Sequence, residues 1–117
     1  MVSKDVINAA VAAYFQALTS LDVERYVGVF APDAVVHNPP GAPPQIGVEA
    51  IRQSAQRLFG AYRAIWPTME RVCIAGDGAA VLYSAHFTTV DGATTTGSGI
   101  DVFEVTNAGL IQVIRYY

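Results

Sequence analysis

Apolar residues recur along this chain in two rhythms, and the change between them separates a helical first half from a stranded second half. Ile7, Val11, Tyr14, Phe15 and Leu18 fall three or four positions apart, the spacing of one helix face. Ser3 stands where a cap is needed, and Asp5 lies in the first turn, where negative charge suits the helix dipole. A second, short helix is predicted from Asp22, burying Val23, Tyr26, Val27 and Phe30 and stopped by Pro32. Ala34 to Asn38 reads as a short strand, and Asn38-Pro39-Pro40-Gly41-Ala42-Pro43-Pro44 as a loop. A third helix from about Val48 to Phe59 carries Ile51, Ala55, Leu58 and Phe59 on one face, with Gly60 placed to end it.

From there the period shortens to two. Met69 to Ala75, Ala79 to Val90, Thr94 to Val105 and Leu110 to Tyr117 read as strands. They are joined by Gly76-Asp77-Gly78, Asp91-Gly92 and Asn107-Ala108-Gly109, and Trp66-Pro67 reads as a loop. Helices first and a meander last predict an α+β fold, a cone-shaped barrel with three N-terminal helices packed on a strongly curved antiparallel sheet. No linker or internal repeat divides residues 1–117, so a single domain is expected.

A sheet wrapped around helices leaves a cavity, and alternation says what lines it. Val81, Tyr83, Ala85 and Phe87 form the more apolar face of their strand. Asp101 shares a face with Phe103 and Val105, Ile114 with Tyr116, and Asn38 with Val36. With Phe59 from the third helix and Trp66 as a lid or interface residue, Val36, Tyr83, Ala85, Phe87, Phe103, Ile114 and Tyr116 are the expected ligand-binding positions. Three polar handles interrupt the apolar wall: Tyr14, Asn38 and Asp101. A buried carboxylate without a partner is costly and tends to take up a proton, which makes it a donor to an oxyanion. On spacing alone, Tyr14 also fits a core tyrosine and Asn38 a turn former, and a register slip of one residue would turn Asp101 outward.

Composition narrows the partners. With only Lys4 and six scattered arginines and a net charge of −3, there is no basic stripe for nucleic acid. Charged residues make up 15% of the chain and hydrophobic ones 52%, which favours burial of apolar surface between subunits, with the outer sheet face as the candidate surface. No run reaches the roughly 20 apolar residues of a membrane span. The one cysteine, Cys73, reads as a small buried hydrophobe and fits a reducing, cytoplasmic setting. His37 and His86 fall opposite the cavity set, and no metal or phosphate-binding motif is present, so no metal or cofactor is expected.

The chain resembles the ketosteroid isomerases, within the nuclear transport factor two-like fold that also holds SnoaL-like polyketide cyclases and limonene epoxide hydrolases. The resemblance covers almost the whole chain. It rests on Ala13-Tyr14-Phe15-Gln16-Ala17-Leu18, Phe30-Ala31-Pro32-Asp33-Ala34-Val35-Val36, the Asn38 to Pro44 loop with Gly47 and Ala50-Ile51-Arg52, Gly78-Ala79-Ala80, and Ile100-Asp101-Val102-Phe103. It implies that Tyr14 and Asp101 form an oxyanion hole, and that the chain forms a homodimer, expected through the outer sheet face. The isomerases' general base falls on Asn38, and a tyrosine supporting the oxyanion-hole tyrosine falls on Ala55, so that hydrogen-bond network is expected to be cut short. The epoxide hydrolases use an asparagine at the matching point, but their Asp-Arg-Asp triad falls on Phe87, Ala85 and Tyr116.

Three functions follow from these readings. The first is an isomerase-like enzyme acting on a small apolar ketone or enone, with altered proton transfer. The second is a protein that holds a hydrophobic or phenolic ligand. The third is an interaction module using the open sheet face around Leu82, Ser84, His86 and Thr88.

Overall fold

The computed structural model describes residues 1–117. Its first helix, α1 (Lys4–Ser20), starts where Ser3 accepts a hydrogen bond from the Val6 amide at 3.2 Å. It ends at Leu21, whose left-handed conformation lets its amide reach the Leu18 carbonyl. The buried stripe Ile7, Val11, Tyr14 and Phe15 is the one the helical period marks. The second helix, α2 (Val23–Val27), is capped by Asp22, which accepts from the Arg25 amide at 3.1 Å.

Three element boundaries differ from expectation. Phe30 is not helical: it opens strand β1 (Phe30–His37). Pro32 therefore lies inside a strand. It is tolerated because the register of β1 shifts between Phe30 and Val35, where no ladder bond to the neighbouring strand is required. A two-residue strand, β2 (Gln45–Ile46), then pairs with Val35 and Val36. The third helix, α3 (Val48–Ala61), runs through Gly60, and the chain passes straight from Ala61 into β3 (Tyr62–Ala75). Trp66 and Pro67 belong to this long strand and not to a loop. Strand β3 is at the sheet edge, so a missing amide at Pro67 breaks no inner ladder.

The remaining strands are β4 (Gly78–Thr89), β5 (Thr94–Val105) and β6 (Ile111–Tyr116). The sheet order is β2-β1-β6-β5-β4-β3. All neighbours are antiparallel except β1 and β6, which run parallel, so the curved sheet is mixed. All three helices lie on its concave face. Between them and the sheet sits a core built around Phe103, Ile7, Ile51, Ile111 and Ile114.

Two glycines shape the sheet from within. Gly99 faces Tyr83 and Gly97 faces Ala85 across the β4–β5 ladder. A Cβ on Gly99 would come within 3.0 Å of both the Tyr83 hydroxyl and the Tyr117 carbonyl. The ring of Tyr83 therefore lies over the bare backbone of β5.

Cys73 is exposed on the edge strand and is not a core residue. No helix is long and apolar enough to cross a membrane.

Candidate functional site

The concave face and the helices enclose a cavity of about 220 Å³, with a mostly apolar lining. Three strands bring their polar side chains to it in register. Asp101 on β5 faces Val81 on one side and Tyr116 of β6 on the other. On β1, Val36 pairs with Ile114, so Asn38, two residues further on, continues the row of Tyr116. Tyr14 approaches from α1.

Tyr14, Asn38 and Asp101 all line the cavity, as do Val36, Tyr83, Ala85, Phe87 and Tyr116. Four other residues expected at the wall lie elsewhere. Phe103 sits behind Tyr14, ring against ring at 5.2 Å, and Phe59 sits behind Tyr26 at 5.5 Å. Ile114 is fully buried beneath them. These three hold the tyrosines in place without reaching the cavity. Trp66 is 61% exposed and pairs with His86, which the alternation of β4 places on the outer face, so it does not cover the mouth.

Several lining residues escaped the sequence reading. Leu18 lies one turn after Tyr14, and Ile51, Ser54, Ala55 and Leu58 form one face of α3. Helical spacing marks both sets once the helices are known to cover a cavity. Phe15, Ile65, Pro67, Tyr26 and Gln45 complete the wall.

The chemistry is concentrated at one end. The Tyr116 hydroxyl is 2.7 Å from that of Tyr14 and 3.1 Å from that of Tyr26. The expected interruption at Ala55 does not break the tyrosine network. Tyr116, from the last strand, occupies the middle of it. Burial is the main cause holding the hydroxyls of Tyr14 and Tyr116 well above the usual tyrosine range, and it raises Tyr26 as well. All three are therefore neutral O–H groups across the physiological range.

Asp101 is 2% exposed, and its Oδ1 has no hydrogen-bond partner. Burial pushes its carboxyl up to about 7. At neutral pH much of it is thus a carboxylic acid beside hydroxyls, in a site with no opposing positive charge. Such a group offers a hydrogen bond to an oxygen and gains from accepting one. Asn38 is at the exposed rim, and its amide neither gains nor loses a proton near neutral pH. His37 lies on the far face of β1, paired with Arg115, and no three His, Cys, Asp or Glu side chains are grouped to hold a metal ion.

A helix-covered, cone-shaped sheet around a mostly apolar cavity defines an α+β barrel of the nuclear transport factor two-like kind. Residues 11–114 match the SnoaL-like domain, and the chain belongs to that family. Among solved structures, the chain is similar to Rv0760c from Mycobacterium tuberculosis in complex with estradiol-17β-hemisuccinate (TM-score 0.82, 23% identity, 96% of this chain and 92% of that one). It is also similar to SalBIII, an epoxide hydrolase/cyclase-like enzyme of pyran-ring formation in the polyether salinomycin (TM-score 0.88, 23% identity, 100% and 93%). A third is the Δ5-3-ketosteroid isomerase from Mycobacterium sp. (TM-score 0.81, 22% identity, 96% and 92%). At these identities the likeness concerns the fold.

Proposed function

We propose that this chain binds a small apolar ketone, enone or phenol, with the ligand oxygen held by Tyr14 and Asp101 and supported by Tyr116. The observation that carries this reading is the buried, unpartnered Oδ1 of Asp101, in register with the Tyr116 hydroxyl at the closed end of an apolar cavity. A ligand oxygen there supplies what Asp101 lacks. Hydrogen-bond donors held in a mostly apolar cavity favour an oxygen that carries or develops negative charge. Similar proteins on this fold that bind or act on steroids agree with an apolar ligand.

Asn38 decides between catalysis and binding alone. Isomerisation of an enone needs a base to take a proton from one carbon and return it to another. An amide cannot do so, and a positioned base contributes about 10²- to 10⁴-fold. The reading adopted is a ligand-binding protein with, at most, isomerase activity driven by a substrate group or bound water. Deuterium exchange at the α-carbon of a bound ketone tests it. Exchange no faster than in buffer, with tight phenol binding, supports binding alone. Exchange well above buffer makes the protein an isomerase-like enzyme.

The same reading includes a homodimer through the convex sheet face, where Leu82 and Ile100 face each other across the β4–β5 ladder at 41% and 44% exposure. A species of monomer mass alone, in sedimentation at micromolar concentration, would remove it.

A further inference from the structure

The cavity has a second polar locus. Gln45 on β2 and Ser54 on α3 both line it, and the Gln45 Nε2 donates to the Ser54 Oγ at 3.0 Å. Sheet order places β2 three strand spacings from β5, about 14 Å around the curved sheet. Val36, Ile51, Ala55 and Leu58 form apolar wall beside the pair.

The pair is incompletely used by the protein. Helical serines and threonines commonly return their hydroxyls to a carbonyl one turn back. Thr19 and Ser20 do so in α1, toward Phe15 at 3.2 Å and Ala17 at 2.6 Å. Ser54 makes no such bond, so its hydroxyl hydrogen remains available, and the Gln45 Oε1 has no donor. Neither atom is sealed away as a buried orphan. A hydroxyl donor and an amide acceptor, fixed to each other and open to the same cavity, suit a group that both accepts and donates.

We infer that Gln45 and Ser54 form a second subsite that takes an alcohol hydroxyl, so that the ligand carries an apolar body with a carbonyl or phenol oxygen at one end and an alcohol at the other. The alcohol oxygen accepts from Ser54 and donates to the Gln45 Oε1. The bond between Gln45 and Ser54 holds both before the ligand arrives. This inference rests on the Tyr14–Asp101 end being the oxygen site proposed above.

The test uses two pairs of phenols of different length: 4'-(hydroxymethyl)biphenyl-4-ol against 4'-ethylbiphenyl-4-ol, and 6-(hydroxymethyl)naphthalen-2-ol against 6-ethylnaphthalen-2-ol. Each pair swaps a hydroxyl for a methyl at nearly constant shape. Calorimetry on the full chain is expected to show one alcohol binding roughly fivefold tighter than its ethyl partner, the effect of a good hydrogen bond. In Ser54→Ala and in Gln45→Leu the ratio is expected to fall toward one. A ratio near one in the unaltered protein for both lengths, or a ratio that survives both substitutions, overturns the second subsite while leaving the first intact. If none of the four phenols binds, the Tyr14–Asp101 reading fails, and the second subsite fails with it.

Discussion

Tyr116 stands 2.7 Å from Tyr14 hydroxyl to hydroxyl, although 102 positions separate the two in the chain. One residue comes from the first helix and the other from the last strand, so their contact closes the polar end of the cavity across the whole fold. Tyr26 joins the same oxygen at 3.1 Å. The hydrogen bonds therefore tie α1, α2 and β6 together where Asp101 faces the cavity.

Removing the shared oxygen is expected to do more harm than removing an outer one. Tyr116→Phe leaves two buried hydroxyls without this partner and is expected to cost about 1–3 kcal/mol. Tyr26→Phe ends one bond and is expected to cost about 1 kcal/mol. Urea denaturation of both variants checks this. Equal losses would show that Tyr116 is not the centre of the network.

Asp101 sets the direction of the pH dependence. Its carboxyl ionises at about 7 in the folded chain, against 3.8 without perturbation, so the folded state holds its proton longer than the unfolded state does. This contribution to stability is fully present below about pH 4, is lost as pH rises through about 7, and is flat beyond. Asp101→Asn removes that slope and is expected to be more stable than the parent chain at pH 8, by up to about 4 kcal/mol. Thermal unfolding from pH 4 to 8 measures the difference. A parent curve that rises through this window relative to the variant would contradict a buried, unpaired acid.

Gly99 is expected to accept no side chain. In Gly99→Ala the new Cβ meets the Tyr117 carbonyl and the Tyr83 hydroxyl at 3.0 Å, so strand or ring must move. A loss of about 1–3 kcal/mol is expected, as for overpacking elsewhere. Pairing Gly99→Ala with Tyr83→Phe is expected to recover part of it. No recovery would place the strain on the backbone alone.

A carboxylate at the rim is expected to restore proton transfer. Asn38 is exposed, so Asn38→Asp introduces a charge with little desolvation. Faster α-carbon exchange of a bound ketone is expected, by about 10²- to 10⁴-fold over the parent chain. Unchanged exchange, with ligand binding retained, would show that the rim lies out of reach of the reacting carbon.

Much of this arrangement was legible in the sequence because it depends on local rules. Period-two alternation put Asp101, Tyr83, Ala85 and Phe87 on the concave face, and the caps Ser3 and Asp22 marked two helix starts. Pro32 and Trp66-Pro67 misled for one reason. A proline forbids a ladder bond, but only strand register and sheet order reveal that none was needed there. The place of Tyr116 in the tyrosine network is a tertiary fact. Alternation set its face, but only the packing of α1 and α2 brought two more hydroxyls to it. Phe59, Phe103 and Ile114 show the converse: facing inward does not distinguish the wall of a cavity from the layer behind it.

Three tyrosine hydroxyls hold three hydrogens, and the two links through Tyr116 consume two of them. One hydrogen is always left over, and the sense of the links decides which ring carries it. A ligand oxygen beside Tyr14 makes the links run from Tyr26 through Tyr116 to Tyr14. An oxygen beside Tyr116 makes both neighbours point inward and frees the hydrogen of Tyr116. Rotation about C–O bonds alone moves the donor between these places, with no ring displaced. The cavity can thus meet oxygens at different depths, which suits a rigid barrel to ligands of more than one length.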